Sequence, residues 1–445
     1  MPALLPEVLD QAVADLQAYL RIDTQNPPGD VRPAVAWCAE RLKAAGIASR
    51  VFASDETAGK LNLLARVSGS GGAKSILLIN HLDVVPVEPE RWSVPPFGGA
   101  LKDGCLWGRG ALDMKSMGIA ELAVLRELKR QRVPLVRDVL WLGVCDEEVG
   151  GGLGAKWMVE HHWDQLDPEF VLDEGGGGSR GLLAAPDRVV FAPSVNEKQV
   201  LWLKLSVRGE GGHGSMPHGA QPTEILQQAL SRLMAARPVL EAAGDHPIVR
   251  AMRERLGTLP DNRYTNAIMK HTITLTSFQA GVGQPPQVNV IPSEAAATLD
   301  CRLLPDVPVG PFLDRLRQAL GDERVVIDVI YQPAEPGLTS SHRTQLFEII
   351  EEVVRESEPT AIVAPQLLSG GTDSRFFRAK GAVAYGFEPM IITPRDLDLI
   401  HGHDERIAVD EFRRMVQMLY EVVSRLATRS SSAAASRTAD RARCA

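Results

Sequence analysis

Apolar segments that run straight into acidic or imidazole side chains are the strongest constraint in this chain. Val139 to Cys145 reads as a buried strand, and it ends on Asp146-Glu147-Glu148-Val149-Gly150-Gly151. Ser75 to Asn80 is a run with large aliphatics, the pattern of a central strand covered on both faces, and it delivers His81-Leu82-Asp83. Phe170-Val171-Leu172 leads into Asp173-Glu174 and four glycines. Ionised carboxylates crowded at the end of a buried strand repel one another and lose solvation, so a cation is expected among them. Neighbours Glu147 and Glu148 can point to different places where the backbone turns, one to bind a metal and the other to hold a proton. The plainer alternative is an acidic N-cap for the helix that begins near Gly154.

Between these segments the pattern is helical. Glu7 to Leu20, Val31 to Ala45, Met114 to about Arg132 and the stretch up to His162 carry helical spacing, and strands are predicted over Ala48 to Ala53 and Leu61 to Val67. Alternating strands and helices with polar residues at the strand ends predict an open α/β sheet whose ligands bind beyond the carboxyl ends of the strands. From about Asn196 the style changes. Strand, helix, two strands, helix and strand over Val200–Val207, Pro222–Ala236, His271–Phe278, Ala295–Leu303, Val309–Leu320 and Val325–Tyr331 predict a small α+β domain, with Glu335-Pro336-Gly337 as its exit linker. The α/β style then resumes through a helix at Arg343–Glu356, a strand at Ala382–Gly386 and a helix at Val409–Ala427. The expected organisation is a discontinuous catalytic domain over 1–196 and 334–428, an insertion over 197–333 and a disordered Ser/Ala/Arg-rich tail over 429–445.

Composition narrows the function. Lys and Arg number 48 against 56 Asp and Glu, a net charge of −8 without a long basic run, which argues against nucleic-acid binding. No apolar run is long enough to span a membrane, and the N-terminus lacks the marks of a signal peptide. Five scattered cysteines without metal-ligand spacing read as reduced thiols in a cytoplasmic protein.

Five clusters carry potential chemistry. His81 and Asp83 lie on the same side of an extended segment, so the Asp83 carboxylate can accept from one ring nitrogen while the other binds metal. Asp113 sits between Gly108-Arg109-Gly110 and a helix start, where an N-cap is the ordinary role. The acidic stretch from Asp146, the pair Asp173-Glu174, and His401-Gly402-His403-Asp404-Glu405 complete the set. Singly, each admits a bland reading as a cap, a turn or an exposed loop. Together they supply nitrogen and oxygen donors without thiolate, which suits zinc, cobalt or manganese. The inventory is enough for two ions about 3.5–4 Å apart that share a carboxylate. Gly175 to Gly178 lacks the Lys-Ser/Thr of a phosphate loop, and Asp113 occupies the third glycine's place of a dinucleotide fingerprint.

In this order the motifs resemble those of the aminoacylase / glutamate carboxypeptidase / desuccinylase family of co-catalytic zinc hydrolases. They are His-x-Asp at His81, Gly-x-Gly-x-x-Asp ending at Asp113, Asp-Glu-Glu-x-Gly-Gly from Asp146, Asp173-Glu174-Gly175, Gly212-His213-Gly214-Ser215 and His-x-x-Asp-Glu from His401, and the match runs from about residue 8 to 427. The resemblance implies a zinc-exopeptidase-like mixed sheet with an inserted ferredoxin-like lid that dimerises. It implies two Zn2+, one on His81 and one on His401, bridged by Asp113. Glu148 joins the His401 ion, and an acid of the Asp173-Glu174 pair, Glu174 in the aminoacylase-like pattern, joins the His81 ion. Glu147 becomes the general base and Asp83 orients His81. The Asp113–Met114 bond is expected to be cis. His213 is expected to reach the partner subunit's site in a homodimer, and Asn289 and Arg375 to meet the substrate, Arg375 through its carboxylate.

The expected reaction is amide hydrolysis of a small peptide or N-acyl amino acid. Deacetylation or desuccinylation of a biosynthetic intermediate is the alternative on the same scaffold. A metal-free binding protein is the reading from another class, and a broken ligand set would mark it.

Overall fold

The computed structural model describes residues 4–242, 246–332 and 338–429. The exit linker at Glu335-Pro336-Gly337 and residues 430–445 of the expected tail lie outside them. The chain builds one ten-stranded mixed sheet and a separate four-stranded sheet, among smaller ribbons. This is the mixed α/β class expected from the sequence.

Four strands form the parallel centre of the large sheet, in the spatial order Val139–Val144, Ser75–His81, Pro168–Arg180 and Val383–Ile392. Their aliphatics alternate between two cores. Ile76, Leu78, Val139 and Trp141 face a large core with the helices Pro6–Tyr19, Lys115–Arg130, Gln345–Ser357 and Val409–Thr428. Leu77, Ile79, Leu140 and Leu142 face a smaller core with Met158 and Phe377. A sheet covered on both faces leaves its strand ends as the place where polar groups can gather. Register does the rest. His81 pairs with Val144 and Leu78 with Leu172, so His81, Asp146 and Glu174 emerge at neighbouring points of one edge.

The four-stranded sheet runs Thr272–Ala280, Glu294–Leu303, Gln199–Arg208, Val326–Tyr331, all antiparallel. Its core is its own: Leu201, Leu203, Leu205 and Val207 pack with Leu226, Leu230 and Leu233 of the helix Pro222–Leu240 and with Phe312 and Leu316 of Val309–Leu320. The intervening segment behaves otherwise. Two helices that periodicity did not suggest, Pro247–Leu256 and Arg263–Met269, send Ile248, Met252, Leu256 and Ile268 into the large core. The stretch read as one inserted unit therefore folds back partway onto the larger body.

The strand that carries Asp173 and Glu174 does not stop at the glycine run: it continues through Gly175–Gly178 to Arg180. Neighbouring backbones pass so close that only glycine fits. A β-carbon at Gly176 would stand 2.5 Å from Gly386 O, one at Gly178 would stand 2.8 Å from Met390 O, and one at Gly177 would collide with Glu388 O. Breaker residues here mark close approach rather than a turn. Because the obstacle at Gly177 is backbone, Gly177→Ala is expected to cost about 1–3 kcal/mol of stability. A lower urea midpoint in chemical denaturation would show it.

Candidate metal centre

Asp113 is the meeting point. Its Oδ1 lies 3.0 Å from His81 Nε2 and its Oδ2 lies 2.9 Å from His401 Nε2. Glu174 Oε2 stands 3.7 Å from the same nitrogen of His81, and Glu148 Oε2 stands 3.3 Å from His401 Nε2. Two triads result, His81–Asp113–Glu174 and Asp113–Glu148–His401, each with donor atoms close enough to hold one ion. The Asp113–Met114 peptide is cis.

The electrostatics match a site built for a cation. Burial opposes charge on His81, yet Glu174 and Asp113 raise its pKa well above the ordinary imidazole value. Hydrogen bonds to Asp113 and Glu148 raise His401 to about 10. Burial pushes Asp113 upward, but hydrogen bonds from both imidazoles hold it well below the usual carboxylate range. Glu174 is raised by burial and then by Asp113. Glu148 is raised for the same two reasons, and its Oε1 is buried without a hydrogen-bond partner among the described residues. Protons on histidine thus do the work that a divalent cation would do better, and the nitrogen and oxygen donors fit one.

Surrounding residues fix this geometry, and several were not singled out from the sequence. Buried Arg109 donates from Nη1 to Glu405 Oε2 at 2.6 Å and from Nη2 to His401 O at 3.4 Å. Glu405 Oε1 accepts from the backbone N–H of Leu112 at 2.7 Å and of Asp113 at 3.2 Å. This pair ties the Asp113 turn to the His401 loop. Asp146, in a left-handed conformation, takes Lys60 Nζ at 2.9 Å. Lys60 is therefore one of the cations that the acidic stretch demanded.

Some expected pairings are corrected. The Nδ1 of His81 lies 2.8 Å from the main-chain carbonyl of Asp83, while the Asp83 carboxylate is 3.8 Å away, too far for a hydrogen bond. That carboxylate instead accepts from the backbone N–H groups of Glu147 and Glu148, both at 3.3 Å, and from Asn26 Nδ2 at 2.8 Å. It shapes the turn that carries both acids. Asp173, the other candidate ligand of its pair, faces away from the cluster because Ser374 N and Oγ both donate to it at 2.8 Å. Asp173 thereby anchors the loop of Arg375. His403, the second imidazole of its loop, lies 3.5 Å from Glu88 and outside both triads.

A cleft of about 580 Å³ opens beside the triads, between the two sheets. Glu147, Glu148, His401 and Arg375 line one side, and Val200, Trp202, Arg302 and Tyr331 of the smaller sheet line the other. The Glu147 side chain has no hydrogen bond or ion pair among the described residues, and its pKa is raised by burial and then by Asp373. Among the described residues Arg375 donates only to carbonyls, Thr372 O at 2.5 Å and Gly150 O at 3.0 Å. Its acidic neighbours Glu197 and Asp373 stay outside ion-pair distance. His213 and Asn289 are exposed and do not line this cleft. The His213 ring meets Ser215 Oγ at 2.7 Å, and Asn289 O accepts from Gly214 N at 2.7 Å. Within one chain the structure does not bring these two residues to the triads.

The comparisons agree with the geometry. The family model described as "Peptidase family M20/M25/M40" matches residues 77–425. The chain is 32% identical to the N-fatty-acyl-amino acid synthase/hydrolase PM20D1 of Xenopus tropicalis, over 84% of this chain and 78% of that one. It is 30% identical to aminoacylase-1 of Sus scrofa, over 94% and 95%. In fold it is similar to an M20 family metallo-carboxypeptidase of Sulfolobus solfataricus, with a TM-score of 0.70 at 19% identity over 94% and 99%. It is also similar to human carnosine dipeptidase 1, with a TM-score of 0.67 at 15% identity over 96% and 99%. With the family model covering most of its length, this chain belongs to the M20/M25/M40 peptidase family, a family of metal-dependent hydrolases.

Proposed function

We propose that this enzyme hydrolyses the amide bond of a small peptide or N-acyl amino acid that bears a free carboxylate. One observation carries the reading. Beside the triads, the same cleft holds an unpartnered carboxylate, Glu147, and a guanidinium with no carboxylate in contact among the described residues, Arg375. The first suits a mobile proton and the second suits an anionic substrate group. Relatives named aminoacylase-1 and N-fatty-acyl-amino acid synthase/hydrolase point to the same bond type.

His81, Asp113 and Glu174 would hold one ion, and Asp113, Glu148 and His401 a second. Zn2+ suits these donors, and Co2+ or Mn2+ would also fit. Such a pair supplies Lewis acidity and brings the pKa of a bound water toward neutrality. Glu147 takes the proton of the attacking water and returns it to the leaving nitrogen, a task that favours a carboxyl whose pKa is raised. The backbone N–H groups that Asp83 holds keep Glu147 and Glu148 diverging from one turn. Arg375 fixes the substrate carboxylate with its planar fork, and the loop that carries it is anchored by Glu197 on Thr372 and Asp173 on Ser374.

His213 stands outside its own chain's cleft, so a homodimer formed through the smaller sheet's unit is the arrangement that lets it act. There it would donate to the developing oxyanion in the partner's site.

Four outcomes are expected. Glu147→Gln should retain bound metal by elemental analysis while kcat falls at least about 100-fold, as general catalysis is typically worth. Near-normal turnover would remove Glu147 as the base. At pH 7, zinc added to chelator-stripped protein should release protons, because His401 keeps its proton up to about 10 in the metal-free protein. Affinity should therefore strengthen as pH rises toward that value, and a pH-independent Kd would count against His401 as a ligand. Arg375→Met should raise KM for carboxylate substrates about 10-fold or more and change the matching amides little. Finally, Glu147→Gln and His213→Ala proteins, each nearly inactive alone, should regain activity when their subunits are mixed. No recovery in a verified heterodimer would rule out action across the interface.

A further inference from the structure

Three further charged groups of the cleft, Arg302, Lys198 and Glu197, hold partners within the protein. Arg302 donates to both oxygens of Asp300, at 2.7 and 3.1 Å. Lys198 Nζ donates to Ala267 O at 2.9 Å and to Thr272 Oγ1 at 3.1 Å. Glu197 accepts through Oε2 from Thr372 N at 3.0 Å and Thr372 Oγ1 at 2.7 Å, with Arg378 3.6 Å away, and its Oε1 is buried without a hydrogen-bond partner among the described residues. What the smaller sheet's side of the cleft offers to a ligand is aromatic surface.

Trp202 and Tyr331 stand side by side on paired strands, with ring centroids 5.2 Å apart and planes tilted by 44°. Along Gln199–Arg208 the alternate residues Leu201, Leu203, Leu205 and Val207 enter the small core, which places Trp202 on the open face beside Val200. Trp202 is 42% exposed. Indole surface left open in a concave site that also holds Glu147 and the Arg375 guanidinium marks a place where a ligand group is covered.

We infer that Trp202 and Tyr331 form the subsite for the side chain of the carboxylate-bearing residue of the substrate, and that this side chain is aromatic or a large aliphatic. The inference rests on the reading of Arg375 as the carboxylate's partner. A carboxylate held at Arg375 keeps the substituent on the adjacent carbon inside the same cleft of about 580 Å³, whose aromatic lining is this pair.

The test is kcat/KM of the metal-loaded enzyme for N-acetyl-Phe, -Trp, -Leu, -Ala and -Asp, with N-acetyl-Phe amide alongside. The wild type should prefer Phe, Trp and Leu over Ala and Asp by about 10-fold or more, as the burial of a large apolar side chain allows. Trp202→Ala should lower kcat/KM for N-acetyl-Phe about 10-fold, mainly through KM, and leave N-acetyl-Ala within about 2-fold. Trp202→Phe should keep the preference, and Tyr331→Ala should weaken it; these two carry the test if Trp202→Ala does not fold. A flat profile in the wild type overturns the subsite. So does an equal loss for all acids in Trp202→Ala, which would mark a structural role alone. Hydrolysis of N-acetyl-Phe amide as fast as the acid is a different failure: it overturns the carboxylate reading and the side chain's placement with it, even where size preference persists.

Discussion

A local surplus of buried carboxylate over cation governs this structure. Asp113, Glu148 and Glu174 converge on two imidazoles, and burial alone would press every one of them toward neutrality. The acids just outside are neutralised by the protein itself, Asp146 by Lys60 and Glu405 by Arg109. The inner three have no such lysine or arginine among the described residues, and histidine protons fill the role. That contrast separates structural acids from those left for a metal. Buried charge is tolerated where a partner is fixed in place, and an incomplete set invites an external ion.

The scaffold that imposes this crowding is rigid in the places that matter. Three parallel strands end in register, the pairing of Pro168–Arg180 with Ser75–His81 brings Glu174 level with His81, and the glycine run lets the strand continue beyond it against Val383–Ile392. The carboxylates of Asp83 and Glu405 then accept from backbone N–H groups rather than from the side chains of the triads. They set where Asp113, Glu147 and Glu148 leave the main chain, which is the cheaper way to orient short acidic side chains. Arg375 is treated alike, since its loop is held by Glu197 and Asp173 while its guanidinium rests on carbonyls.

Much of this was legible in the residues. Ser75–His81, Lys115–Arg130 and Val309–Leu320 lie within a residue or two of where aliphatic periodicity puts them. The clusters at strand ends named the ligand candidates, since charge beside a buried strand is costly unless a partner compensates it. Other features were not legible. Glycine at 175–178 has the composition of a turn, and only the approach of a neighbouring backbone shows why it is a strand. The short helices Pro247–Leu256 and Arg263–Met269 owe their place to contacts with the distant large core. Asp173 and Glu174 are adjacent acids that nothing in their order distinguishes, and Ser374, some two hundred residues further on, separates them.

The sequence by itself determined the class of sheet and the donor types, because periodicity, burial and the cost of unpaired charge act locally along the chain, and the order of its motifs carried the resemblance to the family. Tertiary structure alone decided which carboxylates meet, which are satisfied by lysine, arginine or serine, that Asp83 holds the imidazole through its carbonyl while its carboxylate shapes a turn, and that Trp202 lines the same cleft as Glu147. Those outcomes depend on distances between residues far apart in the chain. Electrostatic and packing energies change over a few ångströms, a scale that order along a polymer does not encode.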